Sequence, residues 1–316
     1  MQPLVSIWCP TFNHEKYISK CIEGFVMQKT NFDFEVIIHD DASSDNNSNI
    51  IREFQKKYPD LLVCIFQKDN QYSRDKAFLI KTMIQTAKGK YIAMCEGDDY
   101  WTDSCKLQKQ VDFLEQNNEI VLCCHNNHIV DENNERIYED FFIKENSILN
   151  TKNLLGNTYY NIIPTASVVF RNVLKNINLQ FISICPFGDF PLYIELSRYG
   201  NIYFDKNVYS IYRRNGQGIS SSLTKLQQLN DIIEFYTLVK VFHPEHTKTA
   251  VEKINYIHNL IEGINIDNIN NSLEKQKKEL VELYTSDSIL LKNISFWYLC
   301  RLIFKKMIGF LFKKNN

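Results

Sequence analysis

Three carboxylates crowd into the short segment Glu96-Gly97-Asp98-Asp99, directly after the apolar run Tyr91-Ile92-Ala93-Met94-Cys95 and just before Tyr100-Trp101. Acidic side chains this close repel one another unless a cation lies between them. Hard oxygen donors with few protein contacts suit Mg²⁺ or Mn²⁺, held largely by a phosphate-bearing substrate. Two further segments share the pattern of a strand-type run that ends on polar groups. Val5-Ser6-Ile7-Trp8-Cys9 is broken by Pro10 and passes through Thr11-Phe12-Asn13. Phe34-Glu35-Val36-Ile37-Ile38-His39 ends on Asp40-Asp41 and then Ala42-Ser43-Ser44-Asp45. In open parallel α/β sheets, ligands bind beyond the carboxyl ends of the strands. Three such ends predict one crevice, and a nucleoside diphosphate with a divalent cation is its natural occupant.

The elements that must position these residues follow from periodicity. Ile18, Ile22, Phe25 and Val26 mark one face of a helix from about 14 to 28, and Ile50, Ile51 and Phe54 mark a second, capped by Ser44 or Asp45. Leu61 to Phe66 reads as a third strand and Ala77 to Ala87 as a third helix closed by Gly89. A fourth helix carries the stripe Leu107, Val111 and Leu114. Strands alternating with helices of this length imply βαβ units and a mostly parallel sheet flanked by helices. From about 130 to 220 the rhythm is irregular: Thr165 to Phe170, Asn201 to Phe204 and Val208 to Tyr212 read as strands, and Gly188-Asp189-Phe190 opens a short helix. Residues 223–316 read as helices with Asn-rich breaks.

Order and spacing of these motifs resemble glycosyltransferase family 2, the inverting family with a GT-A (Rossmann-like) fold. The resemblance rests on Pro10-Thr11-Phe12-Asn13, on Glu35 through Asp45, on Gly89-Lys90-Tyr91-Ile92 leading into Glu96-Gly97-Asp98-Asp99-Tyr100-Trp101, and on Lys106-Leu107-Gln108-Lys109-Gln110. It covers about residues 3–220. It implies a GT-A domain over 1–222, with a nucleotide-binding half (1–130) and an acceptor half (131–222), followed by a helical region over 223–316. It also implies metal-dependent transfer of a sugar from a UDP-sugar to a hydroxyl of a glycan or polyprenyl-linked acceptor, in the synthesis of capsule, O-antigen or a related surface polysaccharide.

The resemblance assigns roles residue by residue. Asp99 and Asp98 jointly take the Mn²⁺ or Mg²⁺ and the ribose. Glu96 stands where the family usually has Asp, and its longer side chain reaches the metal through water or turns to the ribose. Asp41 matches the acid that reads the uracil edge, with Pro10, Thr11 and Asn13 beside it and Arg74 placed for the base or a phosphate. Asp189 matches the general base, although Gly188 replaces the acid that usually precedes it, and Gly188 is read as permitting close approach. Tyr212-Arg213-Arg214-Asn215-Gly216-Gln217-Gly218-Ile219-Ser220 resembles the flexible loop that folds over the diphosphate, with Arg213 and Arg214 suited to its oxygens. Tyr100 and Trp101 either stack on the acceptor sugar or pack the acidic loop.

Composition narrows the alternatives. Lys and Arg number 36 against 37 Asp and Glu, so bulk charge gives no reason to expect nucleic-acid binding. Nine cysteines form no C-x-x-C pair and read as reduced, buried thiols, and Cys123-Cys124 with His125 and His128 reads as a strand, not a zinc site. No G-x-G-x-x-G follows the first strand, which excludes a dinucleotide-binding oxidoreductase. A sugar-nucleotide pyrophosphorylase would need a Gly-rich, Lys-bearing phosphate loop near the start, and a non-catalytic binding protein on a decayed scaffold would not need Asp41, Asp98, Asp99 and Asp189 together. No secretory leader pattern or bilayer-length apolar run is present. The expected location is the cytoplasm, at the inner face of the plasma membrane if the aromatic, aliphatic and basic mixture of 294–312 lies in the lipid interface. The same tail leaves packing on the protein or a homo-oligomer contact open.

Overall fold

The computed structural model describes residues 2–75, 77–137, 143–157, 162–215 and 223–263. The chain begins with β1 (Val5–Thr11), α1 (Ile18–Val26), β2 (Phe34–Asp40), α2 (Asn47–Lys57), β3 (Leu62–Phe66), α3 (Phe78–Thr86) and β4 (Tyr91–Met94). It continues through β5 (Tyr100–Trp101), α4 (Lys106–Gln116), β6 (Ile120–Asp131), β7 (Arg136–Ile137), β8 (Ser147–Leu149), α5 (Thr151–Asn157) and β9 (Val169–Arg171). Then come α6 (Leu179–Ile184), α7 (Asp189–Leu196), β10 (Asn201–Arg214), α8 (Lys225–Phe242) and α9 (Thr247–Gly263).

The strands form one sheet in the order β3-β2-β1-β4-β9-β6-β10-β5, with β7 on β6 and β8 on β10. Pairings of β1 with β2 and β4, of β2 with β3, and of β6 with β10 are parallel. Antiparallel β9 lies between β4 and β6 and so keeps those two in the same direction. The carboxyl ends of β1, β2, β3, β4, β6 and β10 therefore share one edge, and the polar loops expected from the sequence all leave from it. The buried core lies where α1 and α4 cover the sheet: Ile18, Cys21, Ile22 and Phe25 from one helix meet Leu107, Val111 and Leu114 from the other and Val5, Ile7, Tyr91 and Ala93 from the strands.

Several expectations shift in detail. The first helix starts at Ile18, because residues 14–17 form a turn whose N–H groups return to the His14 carbonyl. Thr165–Ser167 is a 3₁₀ turn, not strand: the Ser167 N–H and hydroxyl both donate to the Pro164 carbonyl, and β9 begins only at Val169. The two strands expected near 201–212 are one long strand, irregular where Asn126 Nδ2 donates to the Lys206 carbonyl. The first compact unit runs from Met1 to Ile261, so the expected division at 222 falls inside it. α8 joins that unit through Phe235, whose ring packs against Phe187 and Phe190, and through Tyr236 Oη, which donates to the Leu155 carbonyl. No helix among the described residues is long and apolar enough to cross a membrane. The tail 294–312 and Gly216 to Ser220 lie outside the described residues.

Candidate active site

The acidic loop continues from β4 and is sewn to the end of β1. Cys95 N donates to the Trp8 carbonyl at 3.1 Å and Gly97 N to the Pro10 carbonyl at 3.0 Å. A side chain at position 97 has no room: a Cβ there would stand 2.4 Å from Thr11 Oγ1 and 2.9 Å from His14 Nδ1. Glycine between Glu96 and Asp98 thus lets the loop press onto Thr11. On the other side, Asp99 Oδ1 accepts from Arg213 N at 2.8 Å and the Asp98 carbonyl accepts from Arg213 Nε at 3.1 Å. Asp98 Oδ2 accepts from Asn215 Nδ2 at 3.0 Å and lies 3.8 Å from His14 Nε2.

Asp99 is 1% exposed, and its Oδ2 has no hydrogen-bond partner. Burial, then the Asp98 and Glu96 charges, push its pKa well above the usual carboxylate range, against a smaller opposing effect of Arg213. Glu96 is pushed up to about 8 by burial, Asp98 and Asp189. An orphaned buried carboxylate oxygen beside two more acids is the local condition that a hard cation relieves. Among the described residues, no group of three or more His, Cys, Asp or Glu side chains is arranged to hold a metal. A cation here would be bound through Asp99 with help from Asp98 or Glu96, the remaining ligands coming from phosphate and water, as Mg²⁺ and Mn²⁺ commonly are.

Asp189 is the first residue of α7, where the helix dipole favours negative charge, and its Oδ1 accepts from Phe190 N at 2.8 Å. Its charge is felt by Glu96, Tyr72 and Tyr193, so it lies near enough to the acidic loop to raise the pKa of Glu96. Gly188 is not a close-approach glycine, contrary to the sequence reading, since a Cβ there meets nothing within 4 Å.

The β1 and β2 ends form the neighbouring wall. Asn13 and Ala42 both adopt left-handed backbone, at φ 55 and 65, and Asn13 ties the two loops by accepting from Ser44 N at 2.8 Å and donating its own N–H to Ser43 Oγ. Asp40 accepts from Ser43 N and from the Ser48 hydroxyl and is spent on the turn. Asp41 accepts from Gln71 N at 2.8 Å and Tyr72 N at 2.9 Å, which draws the loop bearing Arg74 toward it and leaves lone pairs on both oxygens for another donor. Arg74 itself is exposed and pairs with Asp69 at 3.4 Å.

Two sequence assignments do not survive. Trp101 is 2% exposed: its Nε1 donates to the Ala166 carbonyl, Phe25 packs edge-on against the ring, and Lys106 Nζ lies 4.1 Å above it. No ring face remains for an acceptor sugar; half-buried Tyr100 has Lys20 Nζ 4.1 Å from its ring centroid. Arg213 is 3% exposed and its side chain is held by the Asp98 and Asp131 carbonyls, so it is not part of a flexible diphosphate loop; Arg214, the last residue of β10, is exposed. Sequence reading also missed His14 and Asn215, the partners of Asp98, and the buried Lys106 and Gln110. The two buried polar residues lie four apart on the same helix face as Leu107 and Val111, which was the available clue.

A family model described as "Glycosyl transferase family 2" matches residues 6–177, more than half of the chain. The chain belongs to glycosyltransferase family 2. Among relatives, an uncharacterised protein of Mycobacterium tuberculosis is 34% identical over 215 residues, covering 68% of this chain and 60% of its own length. The chain thus spans less than two thirds of these mycobacterial relatives. The UDP-Glc:α-D-GlcNAc-diphosphoundecaprenol β-1,3-glucosyltransferase WfaP of Escherichia coli is 28% identical over 230 residues, covering 72% of this chain and 82% of that protein. The fold matches that of S. aureus TarS (residues 1–349) in complex with UDP-GlcNAc, with a TM-score of 0.59 at 18% identity, over 86% of this chain and 77% of that one. The mannosyltransferase PcManGT of Pyrobaculum calidifontis, in complex with GDP-Man and Mn²⁺, matches with a TM-score of 0.52 at 13% identity, over 93% and 89%. The architecture is GT-A.

Proposed function

We propose that this family member transfers a hexosyl or N-acetylhexosaminyl group from a UDP-sugar to a hydroxyl of a glycan or lipid-linked acceptor, with inversion and with a divalent cation, in surface-polysaccharide synthesis at the cytoplasmic side of the membrane. The observation that supports this reading is the unpartnered buried oxygen of Asp99 in the acidic loop, whose neighbour Glu96 feels the charge of Asp189. Asp98 and Asp99 hold the cation, which when bound offsets the charge of the departing diphosphate. Asp41 and the Pro10-Thr11-Asn13 wall take the base, and Arg74 and Arg214 serve phosphate. Asp189 accepts the proton of the acceptor hydroxyl as its oxygen attacks the anomeric carbon. The carbon–oxygen bond to the diphosphate breaks on the opposite face, and UDP leaves with the electron pair. The UDP-Glc donor and diphosphoundecaprenol acceptor named for WfaP support the substrate class, and a lipid-linked acceptor suits the aromatic and basic tail at 294–312.

Calorimetric titration with UDP, with Mn²⁺ and with chelator, tests this reading, followed by UDP release from a panel of UDP-, GDP- and dTDP-sugars. Tighter UDP binding with Mn²⁺ and turnover confined to UDP-sugars are expected. Equal affinity in chelator sinks the cation assignment, and preference for GDP or dTDP donors sinks the role given to Asp41.

A further inference from the structure

The guanidinium of Arg213 offers five N–H donors in a rigid fork. Nε donates to the Asp98 carbonyl at 3.1 Å, Nη1 to the Asp131 carbonyl at 2.9 Å and Nη2 to Asn134 Oδ1 at 2.8 Å. Its flat face covers Tyr17, with Cζ 4.5 Å from the ring centroid. The same residue's backbone N–H holds Asp99 Oδ1 at 2.8 Å. Three segments far apart in sequence therefore meet on one side chain: the acidic loop, the turn before α1 that carries Tyr17, and the turn after β6. In that turn Asn134 takes a left-handed backbone, at φ 67, which aims its amide oxygen back at the fork.

We infer that Arg213 is a positioning residue: it fixes the acidic loop against the Asp131–Asn134 turn and so sets the cation affinity of Asp98 and Asp99, without touching the diphosphate. This rests on the cation reading of the proposed function. Each nitrogen of this buried fork is engaged by a protein oxygen, and turning the fork to a phosphate would break contacts that hold the loop. Groups that orient metal ligands typically change metal affinity by about 10–100-fold when removed. A lysine cannot replace the fork, because one ammonium cannot satisfy three acceptors lying in different directions.

The test is a set of UDP titrations with Mn²⁺ and with chelator, on wild type, Arg213→Lys, Arg213→Met and Asn134→Ala. A far-ultraviolet spectrum and a melting curve check that each variant is folded. Wild type alone tests the cation reading: if its UDP affinity ignores Mn²⁺, that reading fails and this one falls with it. Given a Mn²⁺ response, both Arg213 variants should lose about tenfold or more of the Mn²⁺-dependent affinity, while affinity in chelator stays within about twofold. Asn134→Ala touches only the far end of the fork and should show the same pattern at about threefold. Should Arg213→Met fail to fold, Arg213→Lys and Asn134→Ala carry the same comparison. Equal losses with and without Mn²⁺ would mean that Arg213 meets the diphosphate directly, and unchanged Mn²⁺-dependent affinity in folded variants would mean that it positions nothing; either outcome overturns the inference.

Discussion

Replacing Lys106 by Met should stabilise the protein in mild acid and lose that advantage in mild base. Lys106 is fully buried, its Nζ donates to Gln110 Oε1 at 2.8 Å, and its other neighbour is the Trp101 ring. Burial drives its pKa from the ordinary 10.5 down to about 7, more strongly than the nearby thiols and Asp103 oppose. The unfolded chain therefore binds this proton more tightly than the folded one, and stability rises with pH from about 7 to about 10.5. Below about pH 7 both states are charged and the full penalty applies, roughly 5 kcal/mol for that displacement. By pH 9 about 2–3 kcal/mol of it is relieved. Methionine has no such dependence, but it leaves Gln110 Oε1 without its donor, a loss of about 1–3 kcal/mol. The net expectation is a gain of about 2–4 kcal/mol at pH 6 and a change within about 1 kcal/mol of zero at pH 9. Urea unfolding of both proteins at the two pH values reads this directly, as midpoints at constant slope. A stability difference that is the same at pH 6 and pH 9, or a variant weaker than wild type at pH 6, would refute the argument that a buried ammonium is tolerated here at a cost.

Asp189→Asn should leave UDP affinity with Mn²⁺ nearly unchanged while lowering turnover by about 10²–10⁴-fold, measured as UDP release once a donor and acceptor pair is in hand. Near-normal turnover would move the base elsewhere. Trp101→Phe should lower stability by about 1–3 kcal/mol, because the Ala166 carbonyl loses its donor and Lys106 its best ring. Its acceptor KM should stay within about twofold; a large rise in KM at unchanged stability would restore the stacking role that burial denies it.

The parts of the site legible in sequence are those set by strand ends. A β-branched run that stops on acids has few structural uses, and parallel pairing of β1, β2 and β4 gathers Thr11, Asp41 and Asp99 with no further information. What failed is whatever depends on partners remote in sequence. Arg213 sits in a basic stretch next to glycine and looks like a solvated loop. Only the pairing of β10 with β6 buries it against Asp98 and Asn134, residues 115 and 79 positions away. Lys106 and Gln110 look like the polar side of a helix. They lie on its buried side because Gln110 Nε2 reaches the carbonyls of Cys123 and Ser167. Trp101 lies next to a metal motif in sequence, yet β5 turns its side chain into the core, where Phe25 meets it. His14 was absorbed into a predicted helix that starts four residues later.

These misreadings share a physical cause. A loop carrying Glu96, Asp98 and Asp99 cannot hold its shape by its own contacts, since its charges drive it apart. The protein supplies outside restraints in their place: the Trp8 and Pro10 carbonyls on one flank, Arg213 on the other, and the Trp101 indole pinned to Ala166 beneath. Two of these restraints, Arg213 and Trp101, consume side-chain donors that look in sequence like ligand-binding groups. The restraints do not remove the repulsion. Glu96 and Asp99 both keep raised pKa values, the mark of acids held together in a buried place. Folding has then already met the cost of bringing the acids together, so under the proposed cation reading a divalent ion would meet them without rearranging backbone. Rigidity around the acids, and not their number, is what would make so sparse a donor set sufficient.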